Sequence, residues 1–122
     1  HQRNYVADPT YYLALCCYDG LWHPMAVLAG EKVIGFLMWA VDDEDGSCWL
    51  GGIIIDRRWQ RRGLGRTAVE ATIELLAKEH GYRDFALSYQ PGNEAARRAY
   101  ASIGFRETGE QEDDEVVARL RR

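Results

Sequence analysis

No apolar run in this chain approaches the length needed to cross a bilayer, so nothing in the sequence reads as a membrane span. Cysteine is scarce: there are three, two of them adjacent at Cys16-Cys17. That pattern gives neither a metal-ligand spacing nor an even disulfide framework, and it points to a reducing, cytoplasmic compartment and to no bound metal. Positive charge is not in excess. The net charge is −4, from 15 Lys and Arg against 19 Asp and Glu, whereas a nucleic-acid-binding domain is expected to be basic. His1-Gln2-Arg3-Asn4 does not lead into an apolar stretch with a cleavage site, so no signal peptide is expected. Internal repeats and low-complexity linkers are absent. What is left is a chain of 122 residues, 47% hydrophobic, suited to a single domain over 1–122 with a real core.

The most informative stretch runs from Ile53 to His80. Ile53-Ile54-Ile55 is a β-branched run that reads as a buried strand. Asp56 to Arg62 reads as a polar turn. From Leu64 to His80 apolar residues recur at helical spacing, with Leu64, Ala68, Ala71 and Leu75 on one face, widened by Val69, Ile73 and Leu76. The order is therefore strand, Arg- and Gly-rich turn, helix. Gly63 and Gly65 permit unusual φ and a close approach of the backbone. A helix that starts there points unpaired N–H groups and its positive dipole end into the turn, which suits a phosphate. Arg57, Arg58, Arg61, Arg62 and Arg66 concentrate positive charge there in an otherwise acidic chain. From the residues alone two readings stay open: an anion-binding turn, or arginines on a solvated face before an ordinary helix. The stretch is not a dinucleotide fingerprint, because Ala68 stands in the third glycine's place and no acidic residue follows on the next strand. It is not a P-loop either, since Gly-Lys-Ser/Thr is absent.

Taken in order, residues 1–22 read as a helix with flanking coil, Asp8 as its N-cap, Pro9 at its first position and Gly20 at its end. Met25 to Leu28 is strand-like. Gly30-Glu31 is a tight turn into the strand Val33 to Val41, where Gly35 signals a bulge or a close backbone neighbour. Asp42 to Gly46 is an acidic hairpin loop. Cys48 to Ile55 is the next strand, bent at Gly51-Gly52. After the long helix, Gly81 is a suitable C′ residue. Phe85 to Tyr89 is a strand broken by Pro91-Gly92. Asn93 then caps a helix with the inner face Ala96, Ala99, Tyr100 and Ile103, closed by Gly104. Phe105 to Gly109 and Val116 to Leu120 form a last hairpin around the acidic turn Glu110 to Glu115. Together these elements predict an α+β fold, a mixed sheet with helices on its faces.

Two of these segments carry a resemblance. Gln60-Arg61-Arg62-Gly63-Leu64-Gly65, after a β-branched strand, resembles the Gln/Arg-x-x-Gly-x-Gly/Ala motif of the GNAT N-acetyltransferases. Asn93-Glu94-Ala95-Ala96-Arg97-Arg98-Ala99-Tyr100, followed by Gly104-Phe105, resembles that family's Asn-x-x-Ala-x-x-Leu-Tyr…Gly-Phe, with Ala99 in place of Leu. The two lie in the family's order, and the resemblance covers roughly residues 23 to 122. It implies the GNAT acyl-CoA N-acyltransferase fold, with the first strand and helix of that fold lacking a counterpart in residues 1–22, where one wall of the acceptor pocket is usually formed. Tyr5-Val6-Ala7, Trp22-His23-Pro24 and Phe105 to Glu110 are further similar to the bacterial spermine/spermidine (diamine) acetyltransferase branch.

The resemblance also implies a site. Acetyl-CoA, as co-substrate, would lie where the strands before and after the long helix splay apart. Backbone groups of Ile53, Ile54 and Ile55 would bind its pantetheine arm. Gln60, Arg61, Arg62, Gly63, Leu64, Gly65 and Arg66 would hold its pyrophosphate, chiefly through backbone N–H groups. Asn93 would contact the pantetheine amides; on its own residues it reads equally as an N-cap. Tyr100 would protonate the departing thiolate; without the motif it reads as a core tyrosine. Some family members place a general base, a Glu, on the strand before the glycine motif, but Cys48 to Ile55 contains no carboxylate. His23, Tyr89 and the Asp42 to Asp45 loop are the candidates left for the base. Trp22, Trp39 and Trp49 are candidates for an amine pocket through cation–π contact. The acidic loops at Asp42–Asp45 and Glu112–Glu115 would attract a polycation, or are simply solvated. The expected function is direct acetyl transfer to a primary amine, a polyamine or another small amine, with a possible homodimer through the final hairpin. The alternatives are a protein or antibiotic amine as acceptor on the same fold, or a non-catalytic CoA-binding domain.

Overall fold

The computed structural model describes residues 5–7, 22–29, 31–57 and 63–122. The helix expected around Asp8 and Pro9 lies outside the described residues, as do Gly30, Arg58, Gln60, Arg61 and Arg62. The elements are β1 (Tyr5–Ala7), β2 (His23–Ala29), β3 (Lys32–Val41), β4 (Cys48–Ile55), α1 (Leu64–His80), β5 (Asp84–Tyr89), α2 (Glu94–Ile103), β6 (Arg106–Glu112) and β7 (Glu115–Arg121). All strands join one seven-stranded sheet in the order β1-β2-β3-β4-β5-β7-β6. Every neighbouring pair is antiparallel except β4–β5. This is the mixed α+β sheet that the sequence predicts. Tyr5–Ala7, read as coil from the sequence, pairs with Met25–Val27 as the edge strand β1.

Helix α1 occupies the stretch that its period predicts. Gly81 ends it at φ 74°, returning its N–H to the Ala77 carbonyl at 3.0 Å. Ala68, Val69, Thr72, Ile73 and Leu76 form its buried stripe. Val69, Ile73 and Leu76 meet Cys48 and Leu50 of β4, Phe85 and Leu87 of β5, and Phe105. A second cluster joins Met25, Val27, Ile34 and Leu37 to Ala68. Phe85, Leu37 and Ile73 are fully enclosed, so the centre of the sheet and α1 are fixed by close packing.

The strand β4 is irregular for a visible reason. Its register with β3 shifts between Phe36↔Ile54 and Met38↔Gly51, so β4 carries an extra residue there. Gly52 takes φ 56° at that bulge, a conformation costly for a residue with a Cβ. Gly35 lies directly beneath, where a Cβ would run into the Ile54 carbonyl oxygen. The bend expected at Gly51-Gly52 and the close neighbour expected at Gly35 are thus one feature. The last hairpin runs longer than predicted. Its turn uses Asp113 and Asp114, both at positive φ (48° and 71°), so the strands extend into the acidic segment.

Candidate active site

The parallel pairing of β4 with β5 consists of Cys48↔Phe85 and Trp49↔Ala86. Beyond it β5 continues along β7, from Leu87↔Ala118 to Tyr89↔Val116, while Ile54 and Ile55 continue along β3. The two central strands therefore part company halfway, and a split opens between their C-terminal halves. The bulge at Gly52 turns β4 away from β5 at that point, which ties the split to a local sequence feature. An extended chain carrying amide groups can lie against such an open strand edge. Ile53 turns toward the helix-side core, whereas Ile54 is 55% exposed at the split.

The α1 N-terminus follows β4 in the chain after residues 56–63. Gly63 caps it in the left-handed region, φ 71°, and among the described residues it has no side-chain hydrogen bond and nothing within 4 Å of where a Cβ would stand. The first turn contains no acidic residue. Among the described residues the N–H groups of Leu64, Gly65 and Arg66 have no acceptor, as expected for the first helical turn, and they face outward with the dipole's positive end. Gly65, in contrast with Gly63, is helical, and a Cβ there would make only an ordinary contact with Ile55 Cγ1 at 3.8 Å. Among the described residues the Arg66 side chain is paired with Ser102 and Glu70. Its Nε donates to Ser102 Oγ at 2.6 Å and its Nη1 lies 3.5 Å from Glu70 Oε1, so it ties α1 to α2. Gln60, Arg61 and Arg62 lie outside the described residues.

On the opposite side of the split stands α2. Asn93 caps it, with Oδ1 accepting from the Ala96 N–H at 3.1 Å. The cap uses the carbonyl end of the side chain and leaves the amide's N–H groups directed elsewhere. Tyr100 is half-buried. Its ring lies 5.8 Å from that of Tyr89 and edge-on to Phe105 at 6.1 Å. Its hydroxyl has no hydrogen-bond partner among the described residues, and burial pushes its pKa up, keeping the proton in place.

The remaining candidates sort by position. A cleft of about 640 Å³ adjoins the split, lined by Trp22, Met38, Asp42, Asp43, Trp49, Gly51, Gly52, Ser88 and Glu112, among others. Gly51 makes room for Trp22, whose ring lies 3.3 Å from where a Cβ would be. Trp49 donates from Nε1 to Ser47 Oγ at 3.1 Å, and the Arg119 guanidinium lies 5.4 Å from its ring. Among the described residues Asp42, Asp43 and Glu112 have no Lys or Arg partner, whereas Asp45, Glu107 and Glu110 all do. Asp45 is held down as a carboxylate first by the Ser47 hydroxyl at 2.6 Å and its N–H at 2.9 Å, then by Arg119.

Three candidates from the sequence fall elsewhere. Trp39 stacks on His23 at 4.2 Å and neighbours His80 and Tyr82, in an aromatic group away from the cleft. His23 belongs to that group and not to the cleft. Tyr89 is no base: its hydroxyl donates to Glu107 Oε2 at 2.7 Å, and burial, then Glu107, push its pKa up to about 12. Cys48 is inert in the core, its thiol pushed up to about 12 by burial. Sequence reasoning gave no role to Glu107 or Arg97. They meet at 3.2 Å across two elements, and no local pattern announces such a contact.

Comparison with known proteins agrees with this geometry. The family model described as "Acetyltransferase (GNAT) family" matches residues 2–105. The spermine/spermidine N(1)-acetyltransferase of Bacillus subtilis (strain 168) is 30% identical over 95 residues, 73% of this chain. The chain spans 62% of the length of that curated relative. Among solved structures, a GNAT family acetyltransferase from Elizabethkingia anophelis with acetyl-CoA bound superposes with a TM-score of 0.77 at 14% identity, over 99% of this chain and all of that one. The aminoglycoside acetyltransferase AAC(6')-Ib, solved with coenzyme A and kanamycin, gives 0.78 at 21% identity, over 91% of this chain and 73% of that one. With a split parallel pair, a glycine-capped helix beside it and a family match over residues 2–105, this chain belongs to the GNAT acetyltransferase family.

Proposed function

We propose that this protein is an acetyl-CoA-dependent N-acetyltransferase that moves an acetyl group directly to a primary amine, and that the amine is a polyamine. The observation that carries the reading is the split between β4 and β5 with the unacidified, glycine-capped N-terminus of α1 beside it. A pantetheine arm has amides to pair with the β4 edge at Ile53, Ile54 and Ile55. A pyrophosphate suits the N–H groups of Gly63, Leu64, Gly65 and Arg66. Gln60, Arg61 and Arg62 are assigned to the same pyrophosphate on their motif alone, and Asn93 to the pantetheine amides.

The acceptor side follows from the adjoining cleft. A neutral amine attacks the thioester carbonyl, the C–S bond breaks, and the sulfur leaves as a thiolate. Tyr100 donates its proton to that sulfur. Ordinary phenol and thiol pKa values lie near 10 and about 8.5, and the burial that raises the phenol also disfavours a bare thiolate, so the gap does not widen. The ammonium loses one proton to water before attack, and the proton shed by the nitrogen as the C–N bond forms passes through water to the Tyr100 oxygen, which restores the acid. Asp42, Asp43 and Glu112, free of basic partners among the described residues, favour a substrate with more than one positive charge, and Trp22 offers it an apolar wall. The relatives named for spermine and spermidine support that choice.

No helix among the described residues is long and apolar enough to cross a membrane, and Cys48 is a free thiol; a cytoplasmic location fits the latter. The final hairpin, from which a homodimer is expected, presents β6 as a bulged and charged edge. Such an edge resists strand-to-strand pairing, so two copies would meet through the hairpin's face. The test of the reading is thiol release from acetyl-CoA with spermidine, spermine and an aminoglycoside, for the wild type and Tyr100→Phe. Turnover with the polyamines and a drop of about 10²-fold in Tyr100→Phe is expected. Turnover with the aminoglycoside alone would move the acceptor, and unaltered turnover in Tyr100→Phe would remove the proposed acid.

A further inference from the structure

We propose that Glu107, with Arg97 and Tyr89, is a positioning residue that holds Tyr100 at the split. This rests on the reading that Tyr100 donates the proton to the departing sulfur. Helix α2 has ten residues and none is fully buried; Ala96, Tyr100 and Ile103 pack against the core only in part, and polar ties add to that packing. Glu107 Oε2 accepts from Tyr89 Oη at 2.7 Å and lies 3.2 Å from Arg97 Nε. One carboxylate oxygen thus joins the tip of β5, strand β6 and the first turns of α2. Arg97 precedes Tyr100 by three positions and shares its side of the helix. The Tyr89 ring, held by its hydroxyl, is the surface against which the Tyr100 ring rests at 5.8 Å. Past Tyr100, Ser102 is held by Arg66 at 2.6 Å. Tyr100 therefore sits between two polar ties, one reaching β5 and β6 and the other reaching the first turn of α1.

Glu107 itself sits on β6, where all seven residues are exposed, so the core makes no demand for a carboxylate there. Its two partners account for its place. An acid held by a misplaced helix works at the wrong distance, and small displacements slow a reaction disproportionately. The reacting group remains Tyr100; Glu107 acts through it.

The experiment is a double-mutant cycle in the full chain. Glu107→Ala is expected to lower kcat about tenfold with the KM for acetyl-CoA unchanged. Added to Tyr100→Phe, Glu107→Ala should lower kcat no further. Glu107→Gln, which keeps an acceptor oxygen for Tyr89, should restore most of the rate. A further loss on adding Glu107→Ala to Tyr100→Phe, as large as its loss in the wild type, would overturn the positioning role. Normal turnover in Tyr100→Phe would remove the reading beneath it, and the two failures are told apart by that single variant. Hydrogen exchange gives an answer that needs no turnover. Amides of Ala99 to Ser102 should exchange faster in Glu107→Ala while those of Val117 and Ala118 stay protected. Unchanged exchange along α2 would overturn the tie itself.

Discussion

Asn93 caps α2 and is proposed to contact the pantetheine amides with the same side chain, and the two roles can be separated. Its Oδ1 caps α2 through the Ala96 N–H at 3.1 Å. Its Nδ2 is the group assigned to the pantetheine amides. Asn93→Ala removes both. Loss of the cap costs about 1 kcal/mol, which lowers the Tm of a domain of this size by roughly 4 °C. Asn93→Asp keeps an oxygen for Ala96 and adds a negative charge at the positive end of the helix, so stability is retained. It has no N–H to give, however. If the amide contacts acetyl-CoA, Asn93→Asp loses one hydrogen bond, worth about 1 kcal/mol or roughly fivefold in Kd. The assays are thermal unfolding and acetyl-CoA calorimetry on the same three proteins. Reduced stability in Asn93→Ala alone, with weaker acetyl-CoA binding in both variants, is the expected pattern. Wild-type affinity in Asn93→Asp would refute the contact and leave Asn93 a helix cap. Unchanged stability in Asn93→Ala would refute the cap.

Gly63→Ala forces a Cβ into a left-handed conformation, which costs about 1 kcal/mol, with no clash among the described residues; its acetyl-CoA affinity should fall by more than its stability does, because the proposed phosphate position lies beside that Cβ. Removing the cleft's charges together, as Asp42→Asn, Asp43→Asn and Glu112→Gln, should raise the KM for spermidine and flatten its salt dependence while acetyl-CoA binding stays unchanged. Asp42 lies opposite Ser47, four positions before Gly51, and so about 14 Å from the split at ~3.4 Å per residue; KM should therefore fall from short diamines to long ones. Stability should decline in alkali. Cys48 and Tyr89 are both raised to about 12 in the folded chain, from ordinary values of 9.0 and 10.0, so the folded state holds their protons more tightly. Their contribution is complete below those ordinary values and is lost as pH rises toward 12, a slope that Cys48→Ala and Tyr89→Phe should flatten in denaturant titrations.

The parts legible in the sequence are those with local causes. Helix α1 is bounded by Leu64 and Gly81 because its period and its left-handed C-cap are both written in consecutive residues. Gly35 and the Gly51-Gly52 pair announced a bulge because only glycine fits there. The cap at Asn93 was legible for the same reason. What escaped depends on distant partners. Three residues, Tyr5–Ala7, form a strand only by leaning on Met25–Val27, and so short a run carries no periodicity. Which tryptophans face the cleft is set by the bulge and by His80 and Tyr82 at the far end of α1, which draw Trp39 away. The bond from Arg66 Nε to Ser102, on another helix, has no local signal. The tie from Glu107 to Tyr89 crosses β7, and nothing in either neighbourhood marks it. The hairpin turn at Asp113-Asp114 lacks the glycine that would have placed it.

The claim on which the account stands is that acetyl-CoA lies in the β4–β5 split with its phosphates at the N-terminus of α1. Calorimetric titration of the full chain with acetyl-CoA tests it most directly. The account predicts saturable one-to-one binding that Gly63→Ala weakens. A folded protein that releases no heat and binds no acetyl-CoA would contradict it.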